Sequence, residues 1–338
     1  MTNWGILGLG FIANKFVDAI KEVPENKIIG VASLTKKKSS EIIKKYGINK
    51  EHYYENYEDL INSSEIDAIY IATLNNTHAD LIEKCIIAQK KILCEKPMCL
   101  NLDEAKKIYA SLQNSSIFFV EGFAYRSHEQ TTEMCNIINS GEIGKIIGIE
   151  SSFGFKSKTN PNSRLFNKNF GGGAILDVGC YTTSFSLLIA RATLGKKYKN
   201  YKLQNILGSL GSTGVDVHAE ADLIFNEELK IKIKTSLKEN LVNECVLYGS
   251  KGKIIIPSPW LPDLKSYIEI HNNNSYYKKF IYSKLSIYAQ QINKFNQIVL
   301  NKKPLIFDTI MNQEESLINF EIINEWKNAL ENQPSQVS

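Results

Sequence analysis

None of the six cysteines (Cys85, Cys94, Cys99, Cys135, Cys180 and Cys245) stands in a CxxC pair, and no histidine-rich segment accompanies them. In a chain of 338 residues this argues against a zinc ribbon or a disulfide framework and predicts reduced thiols in a cytoplasmic protein. There is no HExxH and no acidic triad, so no metal is expected. No apolar run approaches the length of a membrane span. The amino terminus enters an apolar strand with no basic leader or cleavage site, so neither a signal peptide nor a membrane partner is expected. Charge of one sign is also scarce: 40 Lys and Arg stand against 36 Asp and Glu, for a net +4. Without a long basic block interleaved with aromatics, nucleic acid is not an expected partner. Internal repeats and low-complexity linkers are missing too. What is present, 43% hydrophobic and 22% charged residues, is ordinary for a globular protein long enough for two domains.

The chain opens with a short apolar strand, Trp4 to Leu7, followed by Gly8-Leu9-Gly10-Phe11-Ile12-Ala13 and a helical pattern. In this GxGxxA arrangement the first glycine makes a tight turn and the second lets the backbone approach a pyrophosphate. Ala13 keeps helix and strand close, and the helix amino terminus faces the phosphates. Strands expected over 28–33, 67–73, 91–97 and 116–122 alternate with helices over 39–47, 77–90 and 101–113. That rhythm predicts a doubly wound parallel sheet, an α/β Rossmann domain. Ligands of such sheets lie beyond the carboxyl ends of the strands. Those ends gather Gly8, Gly10, Phe11, Ile12, Ser33, Thr35, Lys36, Thr73, Asn75, His78, Glu95 and Lys96 as candidate cofactor contacts. An NAD enzyme usually carries an acid at the end of the second strand to hold the ribose 2′-hydroxyl. Here the sequence is Ser33-Leu34-Thr35-Lys36-Lys37-Lys38, which favours a 2′-phosphate and hence NADP(H) over NAD(H).

Later segments alternate with period two. Val217, Ala219, Ala221 and Leu223 oppose His218, Glu220 and Asp222, and Ile231 and Ile233 oppose Lys230, Lys232 and Lys234. With 146–155, 244–249 and 253–257 these predict an open, mostly antiparallel sheet with one buried face. Two helices over 286–301 and 312–330 end the pattern. The reading is thus a dinucleotide-binding domain over 1–122, an α+β substrate-binding and oligomerisation domain over 123–331, and a frayed tail over 332–338.

Within the second of these domains lies GGGAILDVGCY, Gly171 to Tyr181. Helical spacing puts Asp177 and Tyr181 on one face. Taken with Glu95-Lys96-Pro97, the GLGFIA turn, the NNTHAD segment and EGFAYR, the chain resembles the glucose–fructose oxidoreductase/inositol dehydrogenase (Gfo/Idh/MocA) family over essentially its whole length. The Gly-Cys-Tyr form resembles the branch holding dimeric dihydrodiol dehydrogenases and NADP-dependent xylose dehydrogenases. The sequence departs from the family pattern at Leu74, at Leu34 and at Glu129, where the family often has Pro, Arg (in NADP members) and Pro.

The resemblance implies hydride transfer between a nicotinamide and a hydroxyl or carbonyl carbon of a sugar, sugar derivative or cyclic diol. A sugar-nucleotide ketoreductase of glycan synthesis, an enzyme that uses transient oxidation to cleave a glycoside, and a dinucleotide-sensing regulator remain alternatives. A free phenol titrates near 10, and a nearby ammonium lowers that value. Tyr181 is therefore the expected acid/base with Lys96 tuning it; the reverse assignment, with Lys96 carrying the proton, stays open. Asp177 is expected on a second substrate hydroxyl, with Gly171–Gly173 letting the backbone pass close to nicotinamide or substrate. Glu95 is expected on the nicotinamide ribose, His78 in a loop on the cofactor, and Tyr125, Arg126 and Arg164 at the substrate. The family also implies a homodimer or homotetramer formed through the open sheet face.

Overall fold

Strand β1 (Thr2–Leu7) is the spine of the amino-terminal half. Its Trp4 is wholly buried, edge-on to Phe16, and donates its indole N–H to Asn26 Oδ1 at 2.8 Å. A tryptophan so placed removes roughly 150–250 Å² from water, an upper estimate of about 4–6 kcal/mol. Around β1, the computed structural model pairs β2 (Asn26–Ala32), β3 (Tyr53–Tyr54), β4 (Ala68–Ile71), β5 (Lys91–Cys94) and β6 (Phe119–Glu121) in the order β3-β2-β1-β4-β5-β6, every pairing parallel. The structure describes residues 1–34, 43–44, 48, 52–272, 275–301 and 309–332. Thr35 and Lys36–Lys38, most of the helix expected over 39–47, and the tail beyond Asn332 lie outside the described residues.

Helices α1 (Phe11–Ile20), α2 (Tyr57–Asn62), α3 (His78–Ile87) and α4 (Leu102–Gln113) join these strands. Asn56 and Asn101 cap α2 and α4, each accepting from the backbone N–H three residues on at 2.8 and 2.9 Å. The chain groups into two compact units. The first is Met1–Ser127 with Lys284–Glu314, so helix α7 (Ile287–Asn301) packs on the Rossmann sheet, Ala289, Ile292 and Phe295 entering the core of Trp4, Phe16 and Tyr70.

The second unit is His128–Ser283 with the chain from Glu315. Its eight-stranded sheet runs β14-β13-β12-β11-β7-β10-β9-β8, antiparallel except for the β10/β7 pair. The strands are β7 (Ile146–Gly154), β8 (Tyr201–Leu210), β9 (Asp216–Phe225), β10 (Leu229–Ser236), β11 (Cys245–Gly249), β12 (Gly252–Ile256), β13 (Lys265–Asn272) and β14 (Ser275–Tyr282). In β10, Ile231 and Ile233 are buried while Lys230 and Lys232 face solvent, the period-two reading of the sequence. Helices α5 (Glu129–Ser140), α6 (Cys180–Leu194) and α8 (Gln313–Glu331) complete the chain.

One sequence expectation needs correction. The helical stretch Lys168–Lys199 is long and apolar enough to cross a membrane by length and composition. Its serines, threonines and glycines break any continuous apolar run. In the fold, 94% of its most apolar window is buried inside the protein, and Thr182, Thr183 and Ser186 return their hydroxyls to helical carbonyls. It is a core helix. All six cysteines are buried thiols.

Candidate functional site

The strand order reverses direction of travel between β1 and β4, which makes the carboxyl ends of these strands the place where an open α/β sheet receives ligands. Gly8 ends β1 with φ +83, and a Cβ there would lie 2.7 Å from Ala72 O. Glycine is what allows the two strand ends to come together. Gly10 differs: it caps α1 in extended backbone, and a Cβ on it would meet nothing within 4 Å among the described residues. Among the described residues no side chain caps this helix, and no acid stands in its first turn. An uncapped helix amino terminus beside open space fits a pyrophosphate. Phe11 is 78% exposed on the same turn, beneath the Lys15 ammonium at 5.5 Å, while Ile12 is half-buried.

Ser33, at the end of β2, is buried, and its carbonyl accepts from Tyr53 Oη at 3.3 Å. The candidates Thr35 and Lys36 lie outside the described residues. At the end of β4, Thr73 Oγ1 is 2.7 Å from Thr77 Oγ1, and Asn75 is buried in the short turn that leads into α3. His78 follows, wholly buried. Its Nδ1 lies 2.8 Å from Pro97 O and its Nε2 3.3 Å from Thr73 O. Burial holds its pKa below the ordinary imidazole value, against the pull of the two carbonyls, and the Lys96 ammonium adds to the lowering. His78 thus ties the β4 loop to the β5 loop.

Three contacts fix the Glu95-Lys96-Pro97 turn after β5. Tyr70 Oη donates to Glu95 Oε1 at 2.6 Å, His78 meets Pro97 O, and Met98 N donates to Glu121 Oε1 at 3.0 Å. Glu95 is buried and Lys96 half-buried. Neither Tyr70 nor Glu121 stood among the sequence candidates, because a polar residue inside an apolar strand reads as core. Tyr125 and Arg126 are 0% and 1% exposed. Arg126 Nη1 donates to Thr309 O at 3.4 Å, and Thr309 Oγ1 returns a hydrogen bond to Arg126 O. This guanidinium anchors the 309 segment within its own unit.

In the second unit the glycine triplet folds onto the protein itself. A Cβ on Gly172 would lie 2.8 Å from Asn167 N, and one on Gly173, at φ +123, would lie 2.2 Å from Asp216 Oδ1. Asp216 is buried and its Oδ2 accepts from Ile175 N at 2.7 Å, capping the turn that follows. Burial pushes its carboxyl up to about 6. Ile175–Gly179 is a π-helical turn running into α6, so Asp177 precedes the α-helix rather than lying on it. Wide turns of this kind recur at functional sites.

Asp177 is 4% exposed and accepts from Arg164 Nη1 at 2.7 Å. The structure therefore brings together two side chains that the sequence offered separately to substrate. Tyr181 is half-buried, edge-on to Phe153 (5.2 Å between centroids) and Trp260 (5.9 Å), which stack on each other at 5.5 Å. Trp260 Nε1 donates to Ser152 O at 2.9 Å, locking this wall to β7. No local pattern marked Phe153 or Trp260. Two histidines lie on strands of the second sheet: His218 between Glu220 and Glu239, and His271 against Tyr276. Among the described residues no group of three or more His, Cys, Asp or Glu converges as metal ligands would.

Comparison with known proteins adds to this geometry. The family model for oxidoreductases with an NAD-binding Rossmann fold (GFO_IDH_MocA) matches residues 2–123, and that for the GFO/IDH/MocA C-terminal domain matches residues 131–255. Trans-1,2-dihydrobenzene-1,2-diol dehydrogenase of Xenopus laevis is 30% identical over 264 residues, 77% of each chain. The human protein of that name is 26% identical over 262 residues, 77% of this chain and 75% of its own. Among solved structures, the 3-ketoreductase KijD10 of Actinomadura kijaniata, in complex with NADP and TDP-benzene, has a TM-score of 0.82 at 20% identity, covering 97% of this chain and 96% of its own. The aldose-aldose oxidoreductase of Caulobacter crescentus, complexed with glycerol, has a TM-score of 0.84 at 20% identity, covering 97% of each. At these identities the two structures speak to the fold.

Proposed function

We propose that this chain, which belongs to the GFO/IDH/MocA oxidoreductase family, is an NAD(P)-dependent dehydrogenase or reductase acting on a hydroxyl or carbonyl carbon of a sugar, sugar derivative or cyclic diol. The observation that carries the reading is the glycine turn at the β1/β4 switch point, with open space at Gly10 and an uncapped helix behind it. A bound nicotinamide supplies or accepts the hydride. In this reading Gly8, Gly10 and the first turn of α1 hold the pyrophosphate, while Glu95 takes a ribose hydroxyl. Tyr181 exchanges a proton with the carbinol oxygen, and Lys96 stabilises the charge on that oxygen. Asp177 accepts from a second substrate hydroxyl, and its pairing with Arg164 keeps a buried carboxylate compensated when substrate leaves.

Two finer points belong to the same reading. NADP(H) is the preferred cofactor, supported by the missing acid after β2; tighter binding of NAD(H) in calorimetric titration would contradict it. The protein assembles as a homodimer or homotetramer through the sheet face that carries Glu220, Asp222, Lys230 and Lys234. Charges on that face are already matched, Lys230 with Asp222 at 2.9 Å and Lys234 with Glu220 at 3.0 Å, so covering it strands none of the four. Monomers alone in micromolar sedimentation runs would exclude assembly.

Tyr181→Phe tests the chemistry. It keeps the ring against Phe153 and Trp260 and removes the proton. General acid–base catalysis contributes about 10²–10⁴-fold, so turnover, read at the reduced-nicotinamide absorbance band, should fall by that factor while cofactor affinity stays. Near wild-type turnover in Tyr181→Phe, with loss in Lys96→Ala, would move the proton role to the lysine.

A further inference from the structure

The Tyr70 side chain lies between two parts of the candidate cofactor site. It is wholly buried, and its ring stacks on Phe16 of α1 at 4.0 Å with the planes 16° apart. Phe16 sits one and a half turns into the helix that begins at the glycine turn. At its other end the Tyr70 hydroxyl donates to Glu95 Oε1 at 2.6 Å. A hydroxyl–carboxylate bond of this length is charge-assisted and directional. It sets the orientation of a carboxylate that follows β5, while Gly122, whose Cβ would stand 3.3 Å from Glu95 Cδ, leaves room on the β6 side. Tyrosine in a buried strand is a costly choice unless its hydroxyl has a partner, because an unmatched buried hydroxyl loses about 1–3 kcal/mol. Phenylalanine would fill the same space. The hydroxyl therefore needs an explanation that packing does not give.

We propose that Tyr70 is a positioning residue for cofactor binding: stacked on α1 behind the glycine turn, it fixes the Glu95 carboxylate in the orientation that receives a cofactor hydroxyl. This rests on the reading that Glu95 contacts the cofactor. The inference adds that the carboxylate's aim is set from within the sheet, by a residue that touches neither cofactor nor substrate.

Tyr70→Phe in the full-length protein tests it. The ring and its stacking on Phe16 remain, so the variant should stay folded, with a melting temperature lowered by no more than the loss of one hydrogen bond. Cofactor KM should rise about tenfold, the scale of one hydrogen bond to a charged group, with kcat at saturating cofactor within about twofold. A residue acting only through packing moves neither. The second arm is the cycle with Glu95→Gln. If Tyr70 acts through Glu95, the double variant loses no more cofactor affinity than Glu95→Gln alone. A tenfold loss added on top of Glu95→Gln, or an unchanged KM in Tyr70→Phe while Glu95→Gln weakens binding, would overturn the Tyr70 proposal and leave the Glu95 reading standing. An unchanged cofactor KM in Glu95→Gln would overturn that reading, and the proposal with it.

Discussion

Gly173→Ala should destabilise the second unit by several kcal/mol. The residue sits at φ +123, a conformation L side chains rarely adopt, and holding alanine there costs about 1–3 kcal/mol. The new methyl would also stand 2.2 Å from Asp216 Oδ1 and 3.0 Å from its Cγ. Asp216 is 1% exposed, and its other oxygen accepts from Ile175 N at 2.7 Å. Moving the carboxylate aside breaks that cap, and a hydrogen bond to a charged group is worth about 1.5–3 kcal/mol. Together the terms reach about 2.5–6 kcal/mol, a large share of the roughly 5–15 kcal/mol that holds a domain. Urea unfolding followed by tryptophan fluorescence is a suitable assay, since Trp260 and Trp326 both belong to this unit. The midpoint should fall with little change in slope. Asp216→Ala in the same background separates the two terms: with the carboxylate gone the clash is gone, so the double variant should lose less than the sum of the singles. A Gly173→Ala protein within about 1 kcal/mol of wild type, or strict additivity in the cycle, would refute the account.

Gly10→Ala should behave in the opposite way. With no atom within 4 Å of the new methyl, the fold should lose no more than the roughly 1 kcal/mol of a poorer helix cap. Affinity for the reduced cofactor should drop at least tenfold in a fluorescence titration, and an unchanged dissociation constant would show that the pyrophosphate passes elsewhere. Asp216→Asn addresses pH. The Asp216 carboxyl is raised from 3.8 to about 6 by burial, so the folded state holds its proton more tightly than the unfolded chain. That stabilisation is complete below about 3.8 and is lost as pH rises to about 6, amounting to about 3 kcal/mol at 1.36 kcal/mol per unit. Thermal melts between pH 4 and 7 should show the wild type losing ground to the asparagine variant across that window; a constant difference would refute the assignment.

The fold was legible where local pattern and tertiary environment agree. β9 and β10 announce themselves because one face is buried and the side chains alternate accordingly, while β1, buried nearly throughout, announces itself as an apolar run that ends at a glycine turn. β8 does not: Asn205 adopts φ +51 and the pairing with β9 shifts register between Gln204 and Leu207, so the period is broken inside the strand. β14, Ser275–Tyr282, is an edge strand exposed along nearly its whole length, and its aromatics and lysines follow no burial period. Helix α5 begins on His128, whose ring accepts from Gln130 N at 3.0 Å, in place of the Ser, Asp or Asn that usually marks a start. That α7 joins the first unit is decided by Ala289, Ile292 and Phe295 meeting a core built 270 residues or more earlier, around Trp4 and Phe16. No window of sequence contains that information.

The candidate site divides along the same line, and the glycines show why. A glycine at a turn records that something stands where a Cβ would be; it does not record what. At Gly8 the occupant is the Ala72 carbonyl, and at Gly173 it is the Asp216 carboxylate. Gly10 alone of these three faces open space. From sequence, GLGFIA and GGGAILD look equally suited to a close approach by ligand. The difference lies in partners 43 and 64 positions further along the chain, at Asp216 and Ala72. Spacing singles out Asp177 and Tyr181 as candidates, and the structure places the first in a π-helical turn and the second in the helix that follows it. What surrounds them, Arg164 on the one and Phe153 with Trp260 on the other, is supplied by β7 and by two loops. Residues that do chemistry are tied to local geometry and so leave a local trace. Residues that aim them, such as Tyr70 behind Glu95, need only arrive from the right direction, and any element of the fold can deliver them.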